Sequence, residues 1–251
     1  MQRMTILGVS IDMVDMKEAV SRVAEALKLN KKFFIVTPNS EIVVNANKDK
    51  ALFEIIKSAD MVVPDGIGLV LASKIMKTPL KERVTGIDLM DNLLKFSSEN
   101  GYSVYLIGGK EGIAQDAAEN IKIKYPNITI AGTHHGYFKG EHTGNVNHPD
   151  EKEVINHINN ANPDLVFVAL GAPKQEKFIS YNLNKLNAKV FMGVGGSLDV
   201  YAGTVKRAPE IYQKLGLEWA YRAIKEPWRI KRLGAIPVFA LKVLIKKDKP
   251  M

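Results

Sequence analysis

An α/β fold follows from three features of this 251-residue sequence. Short apolar runs alternate with amphipathic helical stretches. Small or polar residues end five of those runs, and the alternation stops near Ala202. Apolar strands each followed by a helix imply a mostly parallel sheet covered by helices on both faces. Beyond the break the chain reads as helices only, rich in Lys, Arg and aromatic residues. The expected division is therefore an α/β unit over 1–200 and a helical appendage over 201–251.

In chain order, the pattern predicts a strand over 4–11, a helix over 16–29 and a strand over 33–36. Helices over 41–47 and 51–58 follow, then a short strand that ends at Pro64. A nearly all-apolar helix over 67–77 reads as buried, and a helix over 87–100 closes at Gly101. The rest of the sheet is expected from strands at 103–107, 128–132, 164–171 and 189–194, with helices over 113–124, 152–160 and 174–186 between them. The Gly-, His- and Asn-rich stretch 133–151 reads as a long loop, which in a compact domain is usually functional or disordered.

The chain is organised around MVVPDGIGL, residues 61–69. A buried strand ends, a tight turn carries Asp65, and a helix begins. Asp65 would lie at the carboxyl end of a strand, the edge where open α/β sheets bind ligands. A carboxylate there can accept a proton or a hydroxyl hydrogen bond. Taken alone, helix N-cap is the commoner role for an Asp in this position.

Composition narrows the class. With 46% hydrophobic and 25% charged residues the chain is globular, and the absence of Cys excludes disulfide and thiolate chemistry. The N-terminal MQRMTILGVSIDMVD has no apolar core of a secretory signal, so a cytoplasmic location is expected. No run of about 18 apolar residues is present to span a bilayer. The formal net charge of +8 is entirely local: residues 205–251 hold 12 Lys+Arg and 4 Asp+Glu, and the remainder balances at 23 of each. A basic block of this kind points to a polyanionic surface as partner.

The five strand ends carry Thr37-Pro38-Asn39, Pro64-Asp65-Gly66, Gly108-Gly109, Gly171-Ala172-Pro173 and Gly193-Val194-Gly195-Gly196. In a parallel sheet all five project from one edge. Glycines let backbone amides approach a phosphate, and helix N-termini favour negative charge. Singly each is a turn; together they favour a phosphorylated ligand. Residues 108–112 do not form a G-x-G-x-x-G fingerprint, which disfavours a dinucleotide oxidoreductase. Arg83 and Lys174 are candidate diphosphate partners, because a departing diphosphate needs its charge neutralised. Gln175 is placed to read a sugar hydroxyl or amide. Tyr137 and Phe138 are either a stacking platform or a loop anchor. His134 and His135 point opposite ways on an extended segment and are rejected as a metal site, and no D-x-D is present.

In the tail, Trp219, Tyr221 and Trp228 stand among Arg222, Arg229, Lys231 and Arg232, ahead of the apolar run 235–245. Basic and large apolar residues interleaved in this way favour a helix lying on a membrane over a nucleic-acid patch. A helical hairpin packed on the domain is the alternative.

Together these segments resemble the WecG/TagA/CpsF glycosyltransferase family. TPNSEIV at 37–43, PDGIGLVLASK at 64–74, RVTGIDLM at 83–90, ALGAPKQEKFI at 169–179, GVGGSLDVYAGTVKRAP at 193–209 and GLEWAYRAIKEPWRIKR at 216–232 all match its blocks. Within the family the likeness is strongest to the wall teichoic acid branch that transfers N-acetylmannosamine. The resemblance implies a Rossmann-like core with a basic helical appendage. It also implies inverting transfer from UDP-ManNAc to the 4-hydroxyl of GlcNAc on undecaprenyl diphosphate.

On the same basis Asp65 is the general base, and Thr37, Asn39 and Gln175 position the donor sugar. Arg83 binds the diphosphate or closes over it, and no divalent metal or other cofactor is required. The appendage docks on an anionic membrane at the inner face and completes the site with an arginine, for which Arg222, Arg229 and Arg232 are the candidates. The stretch 139–149 is longer than the family pattern. Another UDP-sugar donor, such as ManNAc uronic acid or glucose, and a non-catalytic nucleotide-sugar-binding scaffold are the alternatives. A homo-oligomer is compatible with the sequence.

Overall fold

The computed structural model describes residues 2–225 and 233–246, so Trp228, Arg229 and Arg232 lie outside the described residues. The chain opens with an antiparallel hairpin, β1 (Arg3–Ile6) and β2 (Val9–Asp12), in place of the single strand expected over 4–11. Leu7 and Gly8 both take positive φ at the turn (50° and 88°), as a two-residue hairpin connection requires. Then come α1 (Met16–Lys28), β3 (Phe33–Val36), α2 (Ser40–Ala46), α3 (Lys50–Ser58), β4 (Met61–Val62), α4 (Ile67–Ile75) and α5 (Gly86–Asn100). The second half supplies β5 (Ser103–Gly108), α6 (Ile113–Lys124), β6 (Thr129–His134), α7 (Pro149–Ala161), β7 (Leu165–Ala169), α8 (Lys174–Asn182) and β8 (Val190–Gly193). Helix α9 (Ser197–Tyr201) packs on α6 and closes the α/β unit, and the appendage follows as α10 (Glu210–Lys214), α11 (Glu218–Lys225) and α12 (Ala235–Lys246).

Strands β3 to β8 form one parallel sheet in the order β4-β3-β8-β7-β5-β6. Alternate residues of the inner strands feed opposite cores, which is why β3, β7 and β8 are built of apolar residues, whereas the edge strand β6 carries Thr129, Thr133 and His134. Phe34, Val36, Val166, Val168 and Phe191 point to the side of the hairpin, α3 and α8. Ile35, Leu165, Phe167, Val190 and Met192 point to the side of α1, α5 and α6. From β5 the chain moves outward to β6, while from the adjacent β7 it turns back to β8. Neighbouring strands whose connections diverge leave a crevice at their carboxyl ends.

Phe239 and Val243 of α12 are buried in the first of these cores, and α12 packs on α2 and α4. Helix α4 is buried only in part: Leu69 and Ala72 are covered, whereas Leu71 (52%) and Ile75 (37%) are exposed. An apolar composition alone therefore overstated its burial, because α4 lies at the margin that the appendage shares. The long loop is shorter than expected, since α7 starts at Pro149. The loop is anchored by Phe138 against Phe178 and by buried His142, whose Nδ1 lies 3.2 Å from Glu151 Oε1. Burial holds the His142 imidazole below its ordinary pKa.

The edge strand β4, only two residues long, is fixed by buried Asp12. Its Oδ2 accepts from the Val62 amide (2.8 Å) and its Oδ1 from Arg3 Nε and Arg22 Nη1 (both 3.1 Å). Asp12→Ala leaves the buried Val62 amide unpaired and removes the ion pair of both Arg3 and Arg22. It is expected to lower stability by about 2–4 kcal/mol, read as a shifted midpoint in urea unfolding.

Candidate active site

Three residues beyond β4, Asp65 sits in the turn at the carboxyl edge of the sheet. The turn is closed by its own amide donating to Pro38 O (3.3 Å). It does not cap α4: the N-cap of α4 is Gly66, with no side-chain hydrogen bond. Instead Asp65 Oδ1 accepts from the Gly86 amide (3.2 Å), the first residue of α5, whose N-cap is Thr85. The carboxylate thus faces the positive end of a 15-residue helix. Gly86 is packed so closely that a Cβ would stand 3.3 Å from Thr37 Oγ1.

Protein surrounds Asp65 on most sides, although part of the side chain still reaches solvent. Loss of hydration pushes its pKa up to about 6 from 3.8. The Gly86 amide, Arg222 and Arg83 pull it down, and Glu218 adds a further upward push. A carboxylate with a pKa near 6 is ionised at neutral pH, yet basic enough to take a proton from a hydroxyl during reaction.

The other strand-end residues assemble around it. Thr37, at the end of β3, is buried and donates from Oγ1 to Gly193 O (3.3 Å). Asn39 caps α2 by accepting from the Ile42 amide (3.1 Å), and a Cβ on Gly66 would stand 3.1 Å from Asn39 Cβ. Gln175 is buried, with Oε1 accepting from the Gly195 amide (3.0 Å) and Nε2 donating to Glu176 Oε1 (2.8 Å). Gly193 leaves room for that amide group, since a Cβ there would fall 2.6 Å from Gln175 Nε2. Asn39, Gly66, Asp65, Gly86, Thr37, Gly193, Gln175 and Gly195 therefore form one continuous line along the ends of β4, β3 and β8.

With this geometry in place, comparison with known proteins is decisive. Residues 4–250 match the glycosyl transferase WecG/TagA/CpsF family. The chain belongs to that family. It is 41% identical over 249 residues to a protein of Staphylococcus aureus strain MRSA252 named N-acetylglucosaminyldiphosphoundecaprenol N-acetyl-beta-D-mannosaminyltransferase, covering 98% of this chain and 94% of that one. Proteins of the same name from strains MW2 and NCTC 8325 / PS 47 are 40% identical over the same shares.

Within this family member, the remaining predicted residues fall into two groups. Gly108 and Gly109 are set by packing: a Cβ on Gly108 would meet Ala169 O at 2.4 Å, and one on Gly109 would meet Ile113 at 2.5 Å. The Gly109 and Gly195 amides have internal acceptors, Ala169 O (3.4 Å) and Gln175 Oε1 (3.0 Å). Gly171, with φ of 73°, faces open space, Lys174 is exposed, and Tyr137 is 72% exposed next to Gly136, whose amide donates to Gly109 O (2.8 Å). Phe138, by contrast, is the buried loop anchor.

Arg83 is held by the appendage. Its Nη2 donates to Gln213 O (2.9 Å) and lies 3.5 Å from Glu218 Oε2. Among the tail arginines, Arg222 of α11 acts on Asp65, so the appendage contributes directly to the charge balance of this edge. Sequence reasoning missed Gly86, Arg207 and Glu218. The helix expected over 87–100 put a helix start beside Gly86, but nothing in the sequence showed that this start would face Asp65. His134 Nδ1–H donates to His135 O (2.7 Å), and among the described residues no three His, Asp or Glu side chains come together as metal ligands.

Burial raises the Asp65 pKa, so ionised Asp65 opposes folding. Below pH 3.8 the carboxyl is protonated in both states. Between 3.8 and about 6 the unfolded chain ionises first and stability falls as pH rises, and above 6 the full penalty remains. Asp65→Asn keeps an oxygen for the Gly86 amide. It is expected to raise stability at pH 7 by about 1–3 kcal/mol, with the gain vanishing below pH 4. Urea midpoints measured across pH check this.

Proposed function

We propose that this chain is an inverting glycosyltransferase that moves N-acetylmannosamine from UDP-ManNAc to the 4-hydroxyl of GlcNAc on undecaprenyl diphosphate. The single observation that carries the reading is Asp65. It is a mostly enclosed carboxylate with a pKa of about 6 at the carboxyl edge of the sheet, held by one helix-terminal amide and flanked by Arg83 and Arg222. Support for the substrates comes from the relatives, whose name specifies that acceptor and that sugar.

In the reaction, Asp65 takes the proton of the acceptor hydroxyl as that oxygen attacks the anomeric carbon. The bond from that carbon to the diphosphate breaks on the opposite face, and UDP departs with the electron pair. Displacement from one face inverts the anomeric centre. Arg83 and Arg222 stand where positive charge offsets the charge that develops on the diphosphate. Thr37, Asn39 and Gln175 fix the wall against which the donor sugar rests. No divalent ion is assigned a role.

The acceptor is lipid-linked, and the appendage supplies a surface for it. Leu215, Ile224, Leu241, Leu244 and Ile245 are 52–73% exposed on α11, α12 and the end of α10, on the part of the chain that carries all the excess positive charge. Exposed apolar residues beside basic ones suit adsorption to an anionic bilayer, and among the described residues no helix is long and apolar enough to cross one.

UDP release from UDP-ManNAc is expected only with a lipid-diphosphate-GlcNAc acceptor present, and is expected to persist in EDTA. Asp65→Asn should lower kcat by about 100-fold or more with UDP affinity retained, and wild-type kcat/KM should fall tenfold per pH unit below about 6. An active Asp65→Asn enzyme would remove Asp65 from the role of base. The double change Leu241→Glu, Leu244→Glu should abolish sedimentation with phosphatidylglycerol vesicles while leaving turnover of a short-chain, detergent-free acceptor near wild type.

A further inference from the structure

The seam between the sheet edge and the appendage is a cluster of opposite charges built around one carboxylate. Glu218, the first residue of α11, offers one oxygen to each of two guanidiniums: Oε2 lies 3.5 Å from Arg83 Nη2, and Oε1 lies 3.4 Å from Arg207 Nε. Arg207 continues to Asp88 Oδ1 (2.7 Å), in the first turn of the helix whose leading amide holds Asp65. The three side chains are largely covered, with 14% of Glu218, 19% of Arg83 and 26% of Arg207 exposed. Their geometry is that of an anion held between two arginines, the arrangement proteins use for carboxylates and phosphates alike.

This arrangement conflicts with a purely structural reading of Glu218. Asp65, which must ionise to act as a base, has Glu218 as a charged neighbour of the wrong sign, opposed by Arg83 and Arg222. Arg83, placed to neutralise a leaving diphosphate, already has its charge met by Glu218. Bringing a diphosphate to these arginines would set its negative charge beside a third carboxylate, and like charges at such distances in a poorly hydrated site repel strongly. Anion and Glu218 therefore compete for the same guanidiniums.

We propose that Glu218 is an internal stand-in for the donor's diphosphate, occupying the Arg83–Arg207 anion site in the donor-free enzyme and giving it up when the donor binds. The proposal rests on the transferase reading above for the identity of the donor, but the anion site itself stands on the ion pairs. Displacement of Glu218 also loosens the hold of Arg83 and Arg207 on α11, so donor binding and the position of the appendage are coupled. With Glu218 displaced, Arg207 keeps Asp88 while the donor's diphosphate takes Glu218's place at Arg83, which ties the arrangement of Arg222 and α11 to an occupied donor site.

The test is calorimetric titration of wild type and Glu218→Gln with three probes: inorganic pyrophosphate, UDP and uridine. Removing the competing charge while keeping the shape should tighten pyrophosphate and UDP by about fivefold or more and leave uridine unchanged. In turnover assays the acid limb of the pH profile should move to lower pH, since a negative neighbour of Asp65 is gone while Arg83 and Arg222 remain. A folded Glu218→Gln that binds pyrophosphate no tighter than wild type, or more weakly, would overturn the stand-in and make Glu218 a simple tie for α11.

Tighter pyrophosphate with no UDP binding by either protein would leave the anion site standing and sink the UDP-sugar donor. UDP binding and transfer by wild type with unchanged anion affinity in the variant would do the reverse. Should Glu218→Gln fail to fold, Glu218→Asp replaces it. One methylene shorter, it holds Arg83 and Arg207 less well, so the same tightening is expected to a smaller degree, and weaker anion binding again overturns the proposal.

Discussion

A carboxylate kept mostly from water by its own fold, with the Gly86 amide for direct support, is the constraint on which the rest of this structure depends. Asp65 is raised to about 6 because desolvation outweighs the Gly86 amide and two arginines. That imbalance costs a few kcal/mol against a total stability that for domains of this kind is only about 5–15 kcal/mol. Such a penalty persists only if the surroundings over-determine the position of the group. The turn at Pro64–Gly66 is therefore held from several directions: by the Pro38 carbonyl, by the start of α5 and by close contact between Gly66 and Asn39.

The sheet makes that position rigid. Strand β4 has two residues and lies at the edge, so its own ladder is a weak anchor. Asp12 compensates by joining the Val62 amide to two arginines, one from β1 and one from α1. On the far side of β3, Gln175 performs a similar service for the end of β8, threading its amide group over Gly193 to hold Gly195. Two buried polar side chains thus fix the two strand ends that border the Thr37–Gly86 contact. Each polar side-chain atom of Asp12 and Gln175 has a hydrogen-bond partner, although Glu176, which accepts from Gln175, keeps its buried Oε2 unpaired among the described residues.

Charge at the seam follows a different logic from charge in the core. Arg83, Arg207 and Arg222 face Asp65, Asp88 and Glu218 across the junction of the α/β unit and α11, so the local balance is near zero although the appendage as a whole is basic. Arg83 and Arg207 are engaged in ion pairs at this seam. Helix α12 ties the two regions together by burying Phe239 and Val243 in the main core while turning Leu241 and Leu244 outward.

Much of this was fixed by local sequence. Short continuous apolar runs with helices between them determined the parallel sheet, because strands buried on both faces are apolar throughout, and β3 and α6 fall on the residues the pattern marks. Gly101 ended α5 as a left-handed residue should. Asp65 was visible as an acid at a strand end in a family-specific block. Local sequence was ambiguous where one residue changes the meaning: the Leu7-Gly8 turn split an apparent strand, and Asp65 looked like a cap for the helix beside it. Tertiary structure alone decided that the Gly86 amide, 21 residues downstream, is the partner of Asp65. It alone brought Glu218 to Arg83 across 135 residues, because pairings between distant segments depend on how layers stack and not on the spacing of residues along the chain.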